Sequence, residues 1–380
     1  MDYLDPQPPE EDPQLALRTR SGYLVADAVR SFKVAFEQSG ATAAGKSLHY
    51  TADLVCSGCF ELWQKLLWEY ALDHVGLASP RIFHFLHGRF SDLQAAWAKL
   101  PAEQFYSTLE YQKAMAECIL VLRSCPRRPA PKMPRVPAEA HHDEWVRGAT
   151  AGAPSSAAVG RVWRGGNDLQ VVKRVGDEFA KAISEGATER AMFWMRWLIE
   201  EDHRIKKENN GSLSTADRGP PAWPQKTRSS IGFFIAALVT ELYKELAAKG
   251  TIRMTEEVKT LLQLYSFPNK QLTAKRRQDV LVLLIQIISE VPRWKIPAAP
   301  ALVKDPVALG RAINHAETFF REVLAFEAPT GNLQKEAKKT ASKALTGSKV
   351  KDAKKLKQMS LEEHLAANNA LIEQFYGAKL

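Results

Sequence analysis

The chain has 380 residues, 45% hydrophobic and 25% charged, with 52 Lys and Arg against 43 Asp and Glu for a formal net charge of +9. That balance suits a chain that buries its own core in about two domains, and it excludes fibrous and disordered classes. The longest uncharged apolar stretches, Ile231 to Val239 and Val280 to Ser289, fall short of the ~20 residues a membrane span needs, so they are expected to be buried helices and no membrane partner is expected. Four Cys and no apolar segment behind a basic N-terminus imply a reduced, intracellular compartment, with no need of disulfides.

The first twelve residues carry Asp2, Asp5, Glu10, Glu11 and Asp12 and no Lys or Arg, a net of −5, and residues 1–20 are expected to be a disordered acidic head. From Tyr23 onward apolar residues recur three and four apart, which predicts helices rather than strands. Leu54, Phe60, Trp63, Leu66, Leu67, Tyr70 and Val75 form one amphipathic stretch that starts near Ser47, breaks around Ser57 and Gly58, and ends at Gly76 with Pro80 as a stop. Segments from Pro80 to about Ala98 and from Pro101 to about Leu122 complete a first helical domain over residues 21–125. Residues 126–165 are rich in Pro, Ala, Gly and Ser and predict a linker without a core.

A second helical domain is expected over residues 166–330. Its helices are predicted from about Asp168 to Lys207, Thr227 to Lys249, Thr255 to Tyr265, Thr273 to Glu290 and Pro306 to Glu327. Gly219, Pro220, Pro221 and Pro224 predict a mobile loop over residues 208–226. A Lys-rich tail over residues 331–358 and an amphipathic helix within residues 359–380, from Ser360 to Tyr376, close the chain. The expected fold class is therefore all-α: two helical bundles joined by the linker, with a Lys-rich helical tail.

The charge is unevenly spread. Lys335, Lys338, Lys339, Lys343, Lys349, Lys351, Lys354, Lys355 and Lys357 stand against only Glu336 and Asp352, a net of +7. Such a segment has helical propensity and no wide apolar face, so it is expected to stay mobile until it meets a polyanion. Contact with DNA through the phosphate backbone is the functional reading, and a linker or localisation signal is the alternative. Base readout is not expected, because stacking aromatics and Arg forks are absent from the segment.

Gly40, Gly45, Lys46 and Ser47 fit the G-x-x-x-x-G-K-[ST] pattern of a phosphate-binding loop, in which backbone amides wrap the phosphates, the Lys reaches the terminal ones and the Ser holds Mg²⁺. That chemistry needs a buried parallel strand ahead of the loop. Here Val29, Phe32 and Phe36 precede it at helix spacing, so an interhelix turn with Ser47 as an N-cap is the expected structure and a P-loop NTPase is an alternative. Cys56 and Cys59 have metal or redox spacing, with Cys118 and Cys125 as remote partners, but small core-lining thiols are expected. His74, His84 and His87 cluster without a carboxylate on the same helix face, Glu200-Glu201-Asp202 suggests a solvated helix end, and Trp63, Trp68, Trp194 and Trp197 are expected to anchor cores. No catalytic residue, resident metal or cofactor is expected.

The stretch from Lys46 to Arg81, with its Asp73-His74-Val75-Gly76-Leu77-Ala78-Ser79-Pro80 turn, resembles the C-terminal helical domain of clamp-loader-related ATPases of the MgsA/WHIP type. Ala191 to Glu201 is similar to the first helix of the same unit, and the two domains start alike, around Phe36 and Phe179, which duplication or shared helix periodicity would both produce. The resemblance implies a collar-like architecture that mediates association, in a replication or repair setting, without an ATPase module. The chain is also similar to proteins of large DNA viruses infecting protists, which implies a nucleus or a viral replication compartment. Three function classes follow: a non-catalytic DNA-associated interaction factor with a replication-type protein partner or a second copy, a P-loop NTPase, or a purely structural virion or scaffold component.

Overall fold

Apolar residues three and four apart give each segment one stripe to bury, and the chain forms helices accordingly. The computed structural model describes residues 18–209, 215–252, 255–267, 272–290 and 302–326. Among these residues the only extended pairing is an isolated antiparallel bridge between Arg18 and Leu24, so the protein is all-α. No helix among the described residues is long and apolar enough to cross a membrane. The acidic head up to residue 17, the Lys-rich tail and the C-terminal amphipathic helix lie outside the described residues.

The chain divides into two compact units. The first begins with α1 (Val25–Glu37) and α2 (Ala41–Cys56), joined through Gly40 at φ +96°, a value that L side chains adopt rarely. Gly58 at φ +80° turns the chain into α3 (Phe60–Tyr70), so the predicted break is where the helices part. Next come α4 (Arg81–Lys99), α5 (Ala102–Ser107) and α6 (Leu109–Ser124). The single helix expected from Pro101 to Leu122 is broken at Thr108, whose backbone is extended. Fully buried Trp63 centres this core: its ring lies against Phe60 and Phe90, and its Nε1–H donates to Thr51 Oγ1 at 3.2 Å. Arg123 donates to the carbonyls of Ala35 and Gln38, which satisfies the open end of α1.

The second unit takes in Trp68–His84 and, from Pro126 to Ala301, the described residues. Its first pieces lie where a linker was expected: a 3₁₀ turn (Ala138–His141), α7 (Asp143–Thr150) and α8 (Ala157–Val162). Ala140, Val146, Ala158, Val159 and Val162 are buried there. Helix α8 packs on α9 (Gln170–Glu185), where a Cβ added to Gly176 would meet Val159 of α8, and Phe234, at 3.4 to 3.5 Å. Gly186, in the left-handed region at φ +74°, ends α9 and starts α10 (Thr188–Asn209), splitting the one helix expected from Asp168 to Lys207.

After α11 (Gln225–Arg228) come α12 (Ile231–Ala248), α13 (Thr255–Tyr265) and α14 (Ala274–Ser289). Helix α13 matches the predicted span, and α14 is capped by Thr273, whose side chain accepts from the Arg276 N–H. The apolar runs that were too short for a membrane are the buried faces of α12 and α14.

The loop expected to be mobile is held, over Thr215–Gly219, by a buried ion pair. Asp168 accepts from the Ala216 and Arg164 N–H groups at 2.7 Å each and pairs with Arg218, which also donates to the carbonyls of Val162 and Ala216 at 2.8 Å. The guanidinium lies over the Phe234 ring at 5.2 Å. Burial alone would push the Asp168 carboxyl up, but Arg218 and the two N–H donors outweigh it and hold the carboxyl below its ordinary value. The chain then returns to the first unit as α15 (Pro306–Asn314), capped by Asp305, and α16 (Ala316–Leu324), where one helix was expected. Phe319, Phe320 and Val323 of α16 are buried, and α16 packs against α2 and α6.

Two outcomes follow. Arg218→Met leaves a buried carboxylate without its cation, and urea unfolding is expected to show a loss of about 3 to 5 kcal/mol. Because the Asp168 carboxyl is held low, its contribution is present above the ordinary aspartate range and is lost as pH falls through the folded value, so the loss in the variant should be greatest near neutrality and shrink in acid. Gly232→Ala would drive a Cβ into the buried hydroxyl of Tyr265, whose ring packs edge-on against Phe233. A drop in melting temperature that Tyr265→Phe partly reverses in the same background is expected; no reversal would show that the strain lies elsewhere.

Candidate nucleic-acid interface

The nine lysines from Lys335 to Lys357 lie outside the described residues. The Gly40 to Ser47 string is helical: α2 starts at Ala41, Gly40 is its N-cap, and the Ala44 N–H donates to Gly40 O at 3.1 Å. Ser47, expected as an N-cap, is instead inside the helix and fully buried, donating its hydroxyl to Ala43 O at 2.8 Å and accepting from Arg123 at 3.1 Å. The pattern matches the letters of a phosphate loop, but from Ala44 onward its amides belong to the helix.

The turn that carried the resemblance is irregular. Residues Ala71–Val75 form a π-helical turn closed by an i to i+5 bond from the Gly76 N–H to Ala71 O, and Gly76 has φ +44° and ψ −124°, which favours glycine. Arg276 of α14 grips Asp73 with two parallel bonds of 2.5 and 2.8 Å and Asp279 with one of 3.0 Å. Burial opposes the charge on Arg276, and the two carboxylates more than restore it.

An extended segment lies on this turn. The Arg128 N–H donates to His74 O at 2.7 Å and the Ala130 N–H to Asp73 O at 3.2 Å. Arg128 pairs with Glu290 at 2.7 Å, and Arg127 sits over the Tyr70 ring at 5.9 Å. Leu72, Leu77, Pro131, Met133, Val282 and Leu283 line a cleft of about 40 Å³ beneath it. At its other end the Trp197 Nε1–H donates to Ala140 O at 2.8 Å, and His141 stacks on Trp197 and bonds Glu201 at 2.7 Å. Residues 126–137 carry Arg127, Arg128, Lys132 and Arg135 and no acid. The result is a cationic segment fixed at both ends. It was expected to be linker, and the charge count was the signal in the sequence that could have found it.

Other candidates resolve as structure. Glu201 and Asp202, expected on a solvated helix end, are buried; Glu201 is held by Arg204 and His141, and Asp202 by Lys206. Burial would raise the Glu201 carboxyl, and Arg204 and His141 hold it low instead. The four Cys are buried free thiols, and burial pushes Cys56 up to about 12, which keeps it protonated. His84 bonds Thr260 Oγ1 at 3.2 Å. All four expected core Trp residues are buried. No protein-family model, curated protein or solved structure matches the chain.

Asp53 of α2 is a buried acid that sequence reasoning did not single out. It accepts from the Ser21 N–H at 2.9 Å, and burial pushes its carboxyl up despite that bond and the Thr19 and Ser21 hydroxyls. A raised carboxyl favours the folded state when protonated: its contribution is present below the ordinary aspartate value of about 3.9 and is lost as pH rises through the folded value. Asp53→Asn is therefore expected to raise the melting temperature at pH 7 and to converge on the parent as the buffer approaches pH 4. A variant that melts lower at pH 7 would contradict this.

Proposed function

We propose that the chain is a non-catalytic, DNA-associated interaction factor of collar-like build, acting in replication or repair within a nucleus or a viral replication compartment. It grips phosphates through Lys335, Lys338, Lys339, Lys343, Lys349, Lys351, Lys354, Lys355 and Lys357, and its helical units hold a protein partner or a second copy. One observation carries the reading: those nine lysines meet only two acids, so this segment supplies +7 in a chain whose net charge is +9. The replication setting rests on the resemblance of the Lys46 to Arg81 stretch to clamp-loader-related ATPases. The nucleotide alternative lacks the strand it needs, since helix α1 precedes Gly40, and Gly45, Lys46 and Ser47 lie within α2.

Fluorescence anisotropy of labelled duplex DNA, titrated across salt, tests this with the full chain and a form ending at Glu327. The full chain is expected to bind with a log-log salt slope of about −0.9 per neutralised phosphate, and the shortened form to lose most of that slope and affinity. A full chain that does not bind near physiological salt sinks the proposal.

A further inference from the structure

The geometry points to a second phosphate-contacting edge, on the body of the protein, formed by Lys132 and Arg135. The inference rests on the DNA-associated reading and extends it from the tail to the second unit. Its ground is a three-residue period. The segment is bounded by Cys125 at φ −64°, ψ 142° and Pro137 at φ −73°, ψ 152°, which are polyproline II values. Between them Pro126, Pro129, Pro131 and Pro134 each fix φ and bias the preceding residue to the same region. A polyproline II helix has three residues per turn, so residues three apart share an edge.

Burial follows that period. Residues 126–130 are exposed on every edge, and from Pro131 onward the period shows: Lys132 and Arg135 are exposed, whereas Pro131, Pro134 and Pro137 on a second edge, and Met133 and Val136 on the third, are half-buried. Lys132 and Arg135 therefore leave the body from the same solvent edge, about 9 Å apart at the 3.1 Å rise of this helix. Neither makes an ion pair among the described residues; Glu290 is engaged by Arg128 and Asp73 and Asp279 by Arg276, which leaves exposed Glu139 as the acid next in sequence to the strip. The backbone is held by His74 O and Asp73 O at one end and through Ala140 at the other, so a polyanion meets cations whose main chain is already ordered.

Proline-rich text can instead serve as a ligand for an aromatic groove on a partner, with Arg128-x-x-Pro131-x-x-Pro134 as the recognised spacing. Here the two prolines of that edge are half-buried and its arginine is already paired. Arg128 is committed to Glu290, Pro131 lines the cleft over Leu72 and Leu283, and Pro134 is half-buried.

The test is the salt slope of the full chain on duplex DNA, compared with Lys132→Ala/Arg135→Ala, with the swap Lys132→Arg/Arg135→Lys, and with Lys99→Ala/Lys249→Ala as an exposed pair elsewhere. Unchanged helical circular dichroism confirms folding in each. The alanine pair at the strip is expected to make the slope shallower by about 1.8, while the swap and the distant pair keep it. An unchanged slope in a chain that still binds DNA overturns the strip alone, and binding of an SH3-type domain would then identify the segment as a groove ligand. An equal loss from the distant pair overturns it in favour of diffuse body charge, and a full chain that does not bind DNA overturns both readings together.

Discussion

One carboxylate and one guanidinium, both withdrawn from water, hold four backbone groups of the second unit at once. Asp168 takes the N–H groups of Arg164 and Ala216, and Arg218 gives to the carbonyls of Val162 and Ala216. The end of α8, the turn before α9 and the loop ahead of α11 meet at this pair. Each backbone polar group removed from water needs a partner, and the described residues form no sheet whose ladder could supply one outside the helices. Side chains do it instead: Arg123 for the end of α1, Trp197 for Ala140.

The helices were legible because their signal is local. Thr255 to Tyr265 and the Ser57 to Gly58 break could be placed from spacing and turn residues alone. The splits at Thr108, Gly186 and His315 were not, since the apolar period continues across each. The larger misreading was the linker. Gly, Ala and Pro are ambiguous in a sequence, because small residues suit a free segment and a packed one alike, as Ala140 and Ala158, both fully buried, show. Only the tertiary setting distinguishes the two. The Gly40 to Ser47 string is the converse case, in which a letter pattern was present and the strand that gives it meaning was not.

Basic charge in this chain comes in two physical forms. The lysines of the tail lie outside the described residues and are known as a charge pattern of the sequence, nine cations against two acids. The cations of residues 126–137 ride on a backbone stiffened by prolines and tied to the π-turn and α10. The turn that suggested a family is thus also the shelf that holds a charged segment, and Arg276 braces it by gripping Asp73.

The first unit is assembled from residues 18–67, 85–125 and 302–326, and the second from 68–84 and the described stretches between 126 and 290. No single cut separates them. During synthesis the face of α2 that packs on α16 leaves the ribosome more than two hundred residues before its cover does. Until α16 arrives, that apolar surface is exposed and the first unit is incomplete, while most of the second has already been made. The chain therefore pays a long loop closure late in folding, and a nascent form of the first unit is the species most in need of protection from aggregation.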